Sequence, residues 1–81
     1  MKKLDLLKLW ALGLGIPLFV FEDERVKRSI EANDPHGCIS DMGRALYEKR
    51  PEELKSVNLN EAFTNLDNPL YRLEFCSLMR Q

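Results

Sequence analysis

The only histidine of this 81-residue chain stands two positions before one of its two cysteines, in the run His36-Gly37-Cys38. A cysteine nucleophile needs a base to take its proton, and a zinc site needs three or four soft or borderline ligands. The pair falls short of both. Residues this close in sequence rarely meet in Cys-His catalytic geometry, and Cys76 is the one further thiol available as a ligand. The spacing predicts a helix N-terminal turn with a half-buried thiol, and neither a catalytic residue, a metal site nor a cofactor. A second short match, Asn68-Pro69-Leu70-Tyr71, spells the NPxY peptide that phosphotyrosine-binding-type domains take up through a turn and strand addition. Here it lies among core-forming residues, where Asn as a helix cap and Pro in the first helical turn account for it.

Nothing else in the chain is arranged for catalysis. The carboxylates Glu22-Asp23-Glu24 and Glu52-Glu53 lack calcium-loop spacing and read as solvated charges at helix starts. There is no P-loop, no dinucleotide fingerprint, no serine-centred elbow and no paired acid and base. The expectation is a protein that is not an enzyme. Lys and Arg number 12 against 13 Asp and Glu, a net charge of -1. A nucleic-acid binder usually carries a clear basic excess, because phosphate contacts dominate its affinity. The basic groups Arg25-Lys27-Arg28 and Arg44 with Lys49-Arg50 are interspersed with acids, which favours a solvated face.

The elements that must position these residues begin with an apolar block, LDLLKLWALGLGIPLFVF, over residues 4–21. It holds the only Trp and two of the four Phe, so it either forms much of the core or binds something apolar. Leu4, Leu7, Trp10 (or Ala11) and Leu14 recur at helical steps, with Lys2, Lys3, Asp5 and Lys8 on the other side. Gly13 and Gly15 loosen the end of that helix and Pro17 stops it. Residues 16–21 are expected to open a second helix that runs on through Val26 and Ile30, with a short strand over residues 18–21 as the alternative. Asp34 with Pro35 starts the next helix, whose inner face is Ile39, Met42 and Leu46. Arg50-Pro51 ends it, and residues 51–54 begin a short turn of another. Asn58 and Glu61 have capping-box spacing ahead of a stripe of Leu59, Ala62, Phe63 and Leu66. A last helix after Pro69 carries Leu70, Leu73, Phe75, Cys76 and Met79, although residues 71–75 alternate as a strand would.

The fold class expected is all-α: one domain over residues 1–81, a compact bundle of four to five short helices around Trp10, Phe19, Phe63 and Phe75. A chain this short buries only roughly 60% of its unfolded surface, so its stability is marginal. Lys2 and Lys3 ahead of the apolar run resemble the start of a signal peptide. Asp5 and Lys8 interrupt it, however, and Glu22 follows where a cleavage site belongs. The uncharged run is also short of the about 20 apolar residues that cross a membrane. Two cysteines without an export signal favour the reducing cytoplasm and two free thiols over one bridge.

The segment LDLLKLWALGLGIPLFVF, residues 4–21, with its phrase Leu12-Gly13-Leu14-Gly15-Ile16-Pro17-Leu18 and Phe21 after it, resembles the last helix and exit turn of Cro/C1-type helix-turn-helix regulators. Two extra residues interrupt the family's pattern. The resemblance covers about a fifth of the chain and lies at the structural end of that family's domain. The family's DNA-reading helices lie upstream of the resembling segment, and only three residues stand before Leu4 here, so no DNA-contacting residue is carried over. What it implies is a nucleic-acid-associated transcriptional regulator with a basic patch, the alternative function.

The primary expectation is a protein-binding module: an adaptor, a subunit of a larger assembly, or a stoichiometric inhibitor of the kind phages and mobile elements encode. The aromatic residues are plentiful for so small a body, and an apolar surplus marks an interface unless the core absorbs it. Trp10, Phe19 and Phe21 are the expected contact residues, with Arg25, Arg28, Arg44 and Arg50 orienting a larger protein or a second copy of the chain.

Overall fold

The computed structural model describes residues 2–49, 55 and 57–81. Five helices follow one another: α1 (Lys3–Gly13), α2 (Glu24–Glu31), α3 (Pro35–Glu48), α4 (Leu59–Asp67) and α5 (Pro69–Met79), with a 3-10 segment, Leu18–Glu22, between α1 and α2. No strand occurs among the described residues. Both stretches with a strand alternative are helical, residues 18–21 in the 3-10 segment and residues 71–75 within α5. The turn expected over residues 51–54 lies outside the described residues, as does Arg50.

Several helix ends have a local chemical cause. Asp34 accepts from the Gly37 amide at 3.0 Å, Asn58 from Glu61 at 3.1 Å and Asn68 from Leu70 at 2.9 Å, and prolines follow Asp34 and Asn68 in the first helical position. Gly15 does not loosen α1 but closes it. At φ 75° it lets the Ile16 amide reach back to the Ala11 carbonyl at 2.9 Å and its own amide to Leu12 at 3.3 Å. These two bonds make a Schellman motif, with buried Ile16 and Ala11 as its apolar partners. Asn33, at φ 56°, ends α2 the same way, with Asp34 bonded to Ser29 at 2.9 Å and Asn33 to Ile30 at 3.1 Å.

The second helix expected from residue 16 onward is instead two elements. Asp23 stands in extended conformation between them, and its side chain accepts from the Arg25 amide at 2.8 Å. That cap restarts the chain as α2, and it also holds the Arg25 guanidinium. The fork donates to both Asp23 oxygens, at 3.1 and 3.0 Å. It reaches Glu48 at the end of α3 as well, at 3.2 and 2.8 Å.

Arg25 hydrogen bonding holds both carboxyls below their ordinary range, against a smaller opposing effect of burial. Depressed carboxyl values mean that the stabilisation is complete above the unfolded-state values and is lost as acid titrates the folded groups. Stability should therefore fall below about pH 4. The Arg25→Gln variant should lose less over the same interval in urea titrations at pH 5 and pH 2; equal losses would show that the clamp is not coupled to folding.

The core is more aliphatic than expected. Leu7, Ile16, Val20, Val26, Met42, Leu46, Phe75 and Met79 are enclosed, while Trp10, Phe19 and Phe63 pack around them half-buried. Trp10 leans on Phe75 with ring centroids 4.8 Å apart and planes tilted by 50°, which joins α1 to α5. The Asn65 amide donates to the Leu14 carbonyl at 2.6 Å and fastens α4 to the α1 exit. Ile39, Met42 and Leu46 line the inner face of α3 as their spacing predicts. Leu70 and Leu73 do not join Phe75, Cys76 and Met79 in the core; they are 71% and 67% exposed.

Candidate functional site

Helix α1 is apolar on opposite sides. Leu7 and Ala11 point into the core, while Leu9 and Leu12, three residues apart and so neighbours on one face, are 55% and 56% exposed. A helix that is hydrophobic all round is normally covered all round. Here the chain covers one side. Leu12 also walls a groove of about 350 Å³ beneath the α1 exit, with Ile16, Pro17 and Val57 on its apolar side and Asn58 and Glu61 on its polar side. Leu4 and Leu18, both partly open, put four of the seven large exposed apolar side chains of the described residues between positions 4 and 21. Asp5 and Lys8 flank the leucine pair on the same helix. The arrangement offers apolar area for another surface and a few charges for orientation.

The residues expected at the contact are placed differently. Phe21 is 4% exposed and belongs to the core. Trp10 is half-buried against Phe75, and its indole nitrogen is shut from solvent without a hydrogen-bond partner among the described residues. Phe19 is half-buried too, and the Lys49 ammonium lies 5.1 Å from its ring centre. Arg25 is committed to Asp23 and Glu48. Arg28 and Arg44 are exposed, on α2 and α3 respectively, and Lys27 pairs with Glu24 at 3.5 Å. The structure thus moves the exposed apolar surface of this segment from its aromatic residues to its leucines. Assigning Leu4, Leu7, Ala11 and Leu14 to one stripe leaves Leu9 and Leu12 on the other side, but with leucines on both sides the spacing alone does not say which is covered, and Leu4 is itself exposed.

The thiol candidate is likewise placed. Cys38 is fully enclosed rather than half-buried, and burial, with the Asp41 and Asp34 charges adding to it, pushes its pKa up to about 12. Such a thiol stays protonated at neutral pH, the reverse of what a nucleophile needs. Cys76 is also a free, buried thiol, and His36 is exposed. Among the described residues no group of three His, Cys, Asp or Glu side chains is arranged to hold a metal ion, and no helix is long and apolar enough to cross a membrane.

No protein-family model, curated protein or solved structure matches the chain.

Proposed function

We propose that the chain is a small protein-binding module that acts by covering or bridging a partner through the outer face of α1. The observation that carries this reading is the exposure of Leu9 and Leu12 beside the groove at the α1 exit. Single surface leucines are ordinary, but a pair on one helix face beside a groove of mixed apolar and polar lining has the composition of an interface. Asp5 and Lys8 set the orientation of the partner at the rim, where charge acts on encounter more than on affinity. An adaptor, an assembly subunit and a stoichiometric inhibitor all use such a surface, and the partner's size and copy number distinguish them.

The double substitution Leu9→Ser with Leu12→Ser tests the reading, because both side chains are outside the core and the helix should persist. Tagged wild type and variant are compared in capture from host lysate with mass spectrometry, and by light scattering of the pure proteins. The wild type should retain one partner stoichiometrically, or its own copy, and the variant at least about tenfold less. This corresponds to losing the burial of two leucines. A partner indifferent to the double variant, or salt-eluted nucleic acid as the sole captured species, would overturn the proposal.

A further inference from the structure

A second groove lies away from the α1 leucines, between the beginnings of α3 and α5. It has a volume of about 380 Å³ and is lined by His36, Pro69, Arg72, Leu73 and Cys76. Its walls are mainly apolar, and no carboxylate is among them. Arg72 is partly buried, with its Nε shut from solvent and without a hydrogen-bond partner, and none of the ion pairs among the described residues involves it.

A ligand in the groove cannot reach the enclosed Nε, but the terminal nitrogens of Arg72 are neither shut off nor paired among the described residues, and the ligand that matches a guanidinium best is a carboxylate. Arg25, by contrast, is matched twice over, by Asp23 and Glu48. Among the residues that line the groove, the permanent charge is that of Arg72. Leu73, 67% exposed, supplies an apolar shelf one residue along. The groove is shallow and open to solvent, whereas small-molecule sites enclose most of their ligand.

We infer that this groove binds a peptide segment carrying an acidic side chain next to an apolar one, the carboxylate on Arg72 and the apolar side chain against Leu73, Pro69 and Cys76. The inference stands on different residues from the α1 surface, so either can fail alone.

Two-dimensional ¹H–¹⁵N spectra of the full chain, titrated with the capped dipeptide acetyl-Glu-Leu-amide, test it. The Arg72 Nε–H signal and the amides of His36 and Leu73 should shift saturably. Acetyl-Gln-Leu-amide should bind about tenfold more weakly or less, as should the Glu dipeptide on the Arg72→Gln variant, whose thermal midpoint is measured alongside. The Gln dipeptide gives the same comparison on unaltered protein if that variant does not fold. Equal binding of the Gln dipeptide, equal binding of inorganic phosphate, shifts confined to other surfaces, or no shifts would each overturn the proposal.

Discussion

Replacing Phe75 with alanine should remove about 3–5 kcal/mol of folding free energy, the cost of emptying a fully buried aromatic site. A domain of this size has about 4–12 kcal/mol to lose, so the variant should forfeit a large share of its stability and show a much lower urea midpoint. Phe75 is wholly enclosed, and its ring carries the half-buried Trp10 of α1 at 4.8 Å. Removing it opens a cavity in α5 and takes away the surface on which α1 rests. The urea midpoint followed by far-ultraviolet circular dichroism, with Trp10 fluorescence as a local probe, reads both effects. Phe75→Leu keeps most of the volume and should cost about 1.5 kcal/mol or less. Leu70→Ser, at a 71% exposed site on the same helix, should change stability by no more than about 0.5 kcal/mol. A Phe75→Ala loss as small as that of Leu70→Ser would contradict the placement of α5.

Gly15→Val should cost about 2–3 kcal/mol through the backbone rather than the core. Its φ of 75° is one that β-branched residues avoid. A β-carbon there would also stand 3.1 Å from the Glu61 carboxyl carbon on α4, tighter than ordinary van der Waals contact. If the chain relaxes instead, the Schellman bonds from Ile16 to Ala11 and Gly15 to Leu12 are lost, and buried Ile16 is displaced. The measurement is again the urea midpoint, with Gly13→Ala as control. Gly13 is helical and has open space at its β position, so alanine should be neutral or stabilising by up to about 1 kcal/mol. If both variants behave alike, the left-handed turn at Gly15 is not what closes α1.

Much of the all-α organisation was determined by the sequence itself, because its causes are local. Asp34-Pro35, Asn58 and Asn68-Pro69 carry their helix starts in their own side chains. Such caps need only the next two or three residues, so spacing alone exposes them. The three- and four-residue recurrence of Ile39, Met42 and Leu46 likewise determines the buried side of α3. Asp23 was the exception among the caps. The apolar continuity from Phe19 to Val26 hid the break, and the clamp that supports it includes Glu48, 23 residues beyond Arg25 in sequence.

The tertiary structure decided which apolar residues remain outside, and that assigned the candidate surfaces. Periodicity shows that a helix has a stripe, but α1 and α5 are leucine-rich on more than one side, so no stripe was unique. Leu7 with Ala11, and Phe75 with Met79, won the interior because Trp10 and Phe75 bring those faces together. Leu9, Leu12, Leu70 and Leu73 were left facing solvent. In the same way Phe21 was drawn into the core, Arg25 was spent on two carboxylates, and Arg72 was left unmatched beside an apolar groove. Burial and charge pairing depend on residues distant in sequence arriving at one place, whereas a helix cap depends only on its neighbours.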